Sequence, residues 1–211
     1  MSSQITIVNS TDNNELVRIA IYKKPTVTPL LSTVAWQIVA PPPGGMTVVP
    51  IPETYQVYAE YSKDPNYPDI TVPGVTVNQT NIVNFLQTTA RFQILSATSQ
   101  DNKATGAYIT QVFTGLQTNE VRLENDFSQG VMSHIQKDNV DIFAPQVLWP
   151  GAVRIENILS SLYLAVVGQF VFQGSQLLDE DIQLTETPIV EGGTAVVTGS
   201  MWKGYSISTA A

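Results

Sequence analysis

The chain has 211 residues, a net charge of −8 and no cysteine, and only 13% of its residues are charged. The absence of cysteine excludes disulfides, thiolate catalysis and cysteine-ligated zinc. The acidic balance, with Lys23-Lys24 as the one basic pair, argues against binding along a nucleic-acid backbone.

Residues 4–10 (QITIVNS) alternate and are β-branched, which predicts a strand almost at the start. The Asx-rich segment 11–14 is a turn, and residues 16–22 (LVRIAIY) are expected to return as the second limb of a hairpin. A proline-containing loop over 23–29 leads to the stretch 34–61, around which the chain is organised. There Val34, Trp36 and Ile38 alternate with Ala35, Gln37 and Val39, and Pro41-Pro42-Pro43-Gly44-Gly45 then forbids helix and sheet ladder alike. Extended structure resumes over 46–51 and again through Tyr55, Val57, Ala59 and Tyr61. A strand, a hard break and further strands are all-β punctuation. Residues 62–74, with three prolines, form a surface loop, and 75–86 hold one or two short strands around Asn78-Gln79.

The pattern restarts at Arg91: Phe92 and Ile94 alternate with Gln93 and Leu95, residues 100–103 turn, and 107–113 return. The echo of the first hairpin is explained by generic hairpin chemistry more cheaply than by an internal repeat. From 118 to 172 the period changes. Leu123, Phe127 and Val131 sit four apart, with Asn119 as an N-cap and Gly130 opposing the helix. Ile155, Ile158, Leu159, Leu162, Val166 and Phe170 form one apolar stripe at helical period behind Pro150-Gly151, which predicts a helix over 155–167. Two buried strands are the competing reading. The end is β again, with strands over 169–173, 182–187, 194–198 and 201–207, an acidic turn at 179–181 and a glycine turn at 191–193.

The expected architecture is mainly β: an antiparallel β-sandwich, or two packed β lobes, with one helix near 155–167. The lobes would be residues 1–86 and 90–211, unless the chain is one continuous domain.

Four features in the first third match a known pattern. A first strand ends Val8-Asn9-Ser10, and Ile21-Tyr22-Lys23-Lys24-Pro25 follows. Val34-Ala35-Trp36 precedes a Pro-Gly break, and Tyr55-Gln56-Val57-Tyr58 forms a tyrosine-rich strand. Over residues 5–61 the chain resembles the rhizosphere-expressed RhiA family. The resemblance implies a β-sandwich-like start and carries no catalytic residues.

Candidate chemistry is sparse. His134 is the one histidine, so a transition-metal site lacks ligands, and neither Ser128 nor Ser133 sits in a nucleophile motif. Asp138 with Asp141, and Asp179-Glu180-Asp181, lack calcium-loop spacing and read as solvated turns. Glu53, Glu60, Glu120, Glu124 and Glu156 offer no pair that marks a glycosidase. No catalytic residue, metal ligand or cofactor is expected. The aromatics Trp36, Tyr55, Tyr58, Tyr61, Tyr67, Trp202 and Tyr205 are the candidate binding or interface residues.

A globular domain ordinarily has roughly a quarter charged residues, so this surface is built from Ser, Thr, Asn and Gln. A β-rich surface so poor in Lys and Glu leaves its sheet edges with few blunting residues. The leading expectation is a non-enzymatic structural protein that self-assembles into a homo-oligomer, filament or lattice. The alternative is a module that binds a glycan or a cell surface. The N-terminus lacks the pattern of a signal peptide and the longest apolar run is too short to span a bilayer. A cytoplasmic location, or export without such a signal, and no membrane insertion are therefore expected.

Overall fold

Short alternating segments separated by Pro, Gly and Asx turns become twenty strands in a computed structural model. It describes residues 3–13, 15–26, 33–99, 104–159, 161–178, 181–182 and 186–210. In chain order the strands are β1 (Ser3–Asn9), β2 (Ile19–Tyr22), β3 (Thr33–Val34), β4 (Gln37–Val39), β5 (Met46–Ile51), β6 (Tyr55–Ser62), β7 (Val77–Gln79) and β8 (Val83–Phe85). Next come β9 (Ala90–Thr98), β10 (Ala104–Val112), β11 (Val121–Asn125), β12 (Val131–Lys137), β13 (Val140–Asp141), β14 (Gln146–Leu148) and β15 (Val153–Glu156). Last are β16 (Leu162–Val166), β17 (Gln176–Leu177), β18 (Thr187–Ile189), β19 (Thr194–Ser200) and β20 (Gly204–Ala210).

The protein is mostly β, with packed, largely antiparallel sheets, as a β-sandwich requires. A four-stranded terminal sheet runs β20-β19-β1-β5, and a second four-stranded sheet runs β10-β9-β11-β15. A six-stranded sheet follows β13-β12-β6-β7, with β14 on β12 and β8 on β6. A further four-stranded sheet is β18-β16-β2-β4, and β17 pairs with β3. Two pairings are parallel, β1 with β19 and β11 with β9. One main core draws residues from Ile5 to Ile207 and includes Trp36, Phe92 and Phe143, each fully buried. A smaller cluster around Tyr22, Ala165 and Val171 lies beside it. Pairings β1–β19, β2–β16 and β6–β12 all join segments before residue 86 to segments after residue 90.

The expected first hairpin is not formed. β1 lies between β5 and β19, while β2 pairs with β4 and β16 in another sheet. The β9–β10 hairpin does form, with a register shift at Ala104/Gly106; its turn over 100–103 lies outside the described residues. The echo between the two segments is therefore one of composition, without shared topology.

The helix expected near 155–167 is corrected to two strands in different sheets, β15 and β16. Asn157 makes the break. Its backbone N–H donates to Thr26 Oγ1 at 2.7 Å, and its side-chain oxygen accepts from the Leu159 N–H at 3.0 Å, an Asx turn that diverts the chain. The apolar stripe also fails as a buried face, because Leu159 and Phe170 are exposed. The weaker helix over 119–131 is corrected likewise. Asn119 has φ +64° and is no N-cap, and β11 ends at Asn125. The Asn125 amide donates to Gln129 O and Leu148 O, and its oxygen accepts from Phe127 N–H, closing the bend into β12. Residues 169–173 form a turn rather than a strand, with Phe170 and Phe172 in solvent. The acidic turn falls mostly on 179–180, outside the described residues.

Candidate functional site

Alternation along β6 separates the tyrosines expected to act together. Tyr55 and Tyr61 point into the core, and Tyr58 points to the opposite face, half-buried. Tyr55 stacks on Phe85 at 5.5 Å between centroids, and Tyr61 meets Phe127 edge-on at 5.4 Å. The Tyr61 hydroxyl packs so closely under Gly106 that a Cβ there would lie 2.5 Å from it. Trp36 is fully buried, its indole N–H donating to Lys137 O at 3.0 Å. Among the seven expected residues only Tyr67 and Trp202 present most of their rings to solvent, at 71% and 88% exposure. Tyr67 lies in the loop between β6 and β7, which curls round a hollow of about 720 Å³ lined by that loop and by Ser62 at the end of β6. Trp202 tips the β19–β20 hairpin. Beneath it Glu15 Oε2 accepts from the Met201 N–H at 2.8 Å and from the half-buried Tyr205 hydroxyl at 2.7 Å, and Lys203 Nζ meets Asp12 at 3.1 Å.

The sheet edges are treated very unequally. In the terminal sheet, β5 carries Pro50 opposite Gln4, which removes a donor from its free side. β10 is sealed by Asn81, whose amide donates to Ile109 O at 2.9 Å and whose oxygen accepts from Ile109 N–H at 2.9 Å. β15 has four residues and turns Arg154 and Glu156 inward. β18 contains Pro188, β4 stops before Pro41, and β7, β8, β13 and β14 have two or three residues each. All of these are recognised ways to blunt an edge.

β20 has none of them. Its seven residues, GYSISTA, include no charge and no proline, and Ile207 alone is buried. Among the described residues it pairs only with β19, and no backbone hydrogen bond reaches its outer side. The solvent face of the whole terminal sheet is equally bare of charge. It presents Gln4, Thr6 and Val8 on β1, Met46, Val48 and Pro50 on β5, Thr194, Val196 and Thr198 on β19, and Ser206, Ser208 and Ala210 on β20.

Sequence reasoning missed the buried charges. Arg154 and Glu156 have side chains 1% exposed and pair at 3.1 Å. The remaining Arg154 donors reach Ser133 O at 2.9 Å and Ala144 O at 2.9 Å, and Glu156 Oε2 accepts from the Thr26 N–H at 3.0 Å. The network is built like a structural rivet joining β15 to β12. His134 stacks flat on its cross-strand partner Tyr58, with rings 4.4 Å apart and 1° from parallel. Its Nδ1 lies 3.1 Å from Asp141 and its Nε2 3.8 Å from Glu60, so both nitrogens face carboxylates and neither faces a nucleophile. Burial, helped by Asp141 and Glu60, pushes the Tyr58 phenol up to about 12. Among the described residues no group of three or more His, Asp or Glu could hold a metal ion.

Two further buried cations, Lys23 just past β2 and Lys137 at the end of β12, are each 3% exposed. They form the floor of a cleft of about 490 Å³ together with Tyr55, and exposed Glu53 and Glu191 stand at its rim. Lys23 Nζ donates to Ile158 O at 2.8 Å. Lys137 Nζ donates to Pro52 O at 2.6 Å and lies 4.2 Å from the Tyr55 ring centroid. Burial pushes the Lys23 ammonium down to about 8, against the pull of Glu191 and with the push of Lys137. Burial lowers Lys137 as well, against Glu191 and Glu53. A lysine at the end of an alternating pattern leaves no mark in the sequence that separates it from a surface residue.

No family model, curated protein or solved structure matches the chain.

Proposed function

We propose that this is a non-enzymatic structural protein that associates with a second copy of itself through β20. The observation that carries the reading is the contrast between edges among the described residues: every other long edge is blocked, and β20 is long, uncharged and without a backbone hydrogen bond on its outer side. An antiparallel β20–β20 pairing is self-complementary about a two-fold axis. It would join two terminal sheets into one, whose far edges are both β5. Pro50 on those edges stops further addition, so the arrangement closes as a dimer instead of growing into a fibre.

The test is light scattering after size exclusion, on the native chain and on two variants. Ser208→Lys places a charge on the pairing edge, and Met46→Lys places one on the β5 side of the same sheet. The native protein and the Met46→Lys variant are expected to run at twice 23.0 kDa, and Ser208→Lys as a monomer. A native chain that remains monomeric at millimolar concentration overturns the proposal, as does a dimer indifferent to Ser208→Lys.

A further inference from the structure

Edge pairing makes no use of the cleft between the ends of β2 and β12, although that cleft has the makings of a ligand site. Its size lies within the usual range for small-molecule pockets, and its walls are apolar with a few convergent polar groups. Two ammonium groups from different sheets converge on one floor. A buried cation is costly unless it is paired, and each ammonium has three donors to satisfy. Lys137 directs one at Pro52 O and otherwise meets the face of Tyr55; among the described residues no carboxylate lies within ion-pair distance of it. Glu53 and Glu191 act on Lys137 through space from the rim.

We propose that this cleft binds a small organic anion, a carboxylate or phosphate group on an apolar body, with Lys137 and Lys23 holding the anionic group and Leu86, Leu159 and Ile189 covering the body. The anion supplies the contact charge that Lys137 lacks. Lys23 adds a second positive charge with its main-chain bond to Ile158 intact. The exposed rim carboxylates disfavour ligands charged along their whole length, so the charge belongs at one end. Binding also holds Lys23 in its charged form, so near pH 8.5 the complex takes up a proton from solution.

Calorimetric titration with octanoate, octyl phosphate and octylamine tests the proposal, on the native chain and on Lys137→Met and Leu86→Trp variants. Leu86 is 63% exposed at the cleft mouth, so Leu86→Trp narrows the cleft without touching the core. Saturable binding of octanoate or octyl phosphate is expected, with affinity falling at least tenfold in either variant and with no binding of octylamine. Which of the two anions binds more tightly identifies the head group. Repeating the titration at pH 8.5 in buffers of different ionisation enthalpy reads the proton uptake. The proposal is overturned if neither anion saturates, or if octylamine binds as well as the anions. Binding that survives both substitutions also overturns it. Should Lys137→Met fail to fold, the octylamine comparison and Leu86→Trp still decide.

Discussion

Raising the pH from 7 to 9 is expected to stabilise this protein, where many proteins weaken. Lys23 is the reason. Its ammonium is held at about 8 by burial, against 10.5 in the unfolded chain. A depressed lysine binds fewer protons folded than unfolded throughout the interval between the two values. Stability therefore rises with pH across that interval, and below pH 8 the full penalty of a buried charge is present. Integrating the proton difference gives about 1.3 kcal/mol gained between pH 7 and pH 9 from Lys23 alone. Lys137, lowered for the same reason, adds to the gain. Above about pH 9.5 the slope reverses. Burial raises Tyr22 and Tyr55 first of all, and Tyr58 and Tyr205 also rise, so folded phenols keep protons that the unfolded chain releases near pH 10. The result is a maximum near pH 9.5, about 1.5 kcal/mol above the value at neutrality. Urea denaturation at fixed ionic strength over pH 6 to 11 measures the curve. In Lys23→Met most of the rise should vanish, and at pH 7 the variant should exceed the native chain by about 1 to 3 kcal/mol. Stability that falls steadily from pH 7 to 9, or a rise unchanged in Lys23→Met, would refute the reasoning.

Other substitutions test the scaffold. Arg154→Ala leaves Glu156 buried without its partner and should cost roughly 3 to 5 kcal/mol, while Arg154→Met with Glu156→Met should recover most of the loss; both are read by urea midpoints. Asn81→Ala removes both bonds to Ile109 and should cost about 1 to 2 kcal/mol. It should also raise the aggregation rate seen by light scattering, since it opens the β10 edge. Gly199 has φ +89°, and a Cβ there would lie 2.2 Å from Gly204 O, so Gly199→Ala should destabilise by roughly 2 to 4 kcal/mol in thermal melts.

The single strand expected over 34–39 is two short strands in different sheets, β3 and β4, with Ala35 and Trp36 buried between them. The strands over 46–51 and 55–62, by contrast, were legible because alternation and proline punctuation are local. Their partners were not. Residues 4–10 read correctly as a strand, yet nothing near them indicates that β19 lies alongside. The segment 153–167 misled because its burial is inverted: Val153 is exposed, while Arg154 and Glu156 face the core. Removing those two from the apolar tally left Ile155, Ile158 and Leu162 to mimic a helical stripe. Composition pointed to poorly protected edges in general. Only the ladder itself distinguishes β20 from β10, because Asn81, which seals β10, looks in sequence like any loop asparagine.

The parallel pairing of β1 with β19 also has a consequence in time. Thr6 takes its ladder partner at Thr194, so during synthesis the first strand waits for almost the whole chain. At ordinary translation rates that wait is on the order of ten seconds or more. Until it ends, β1 can pair with β5 but offers its other side, Thr6 to Asn9, to anything extended nearby. The native chain closes that gap last, with β19 and β20 arriving together as one hairpin. A nascent chain stalled before residue 194 would therefore be sticky along an inner strand, and would lose that property once the hairpin docks.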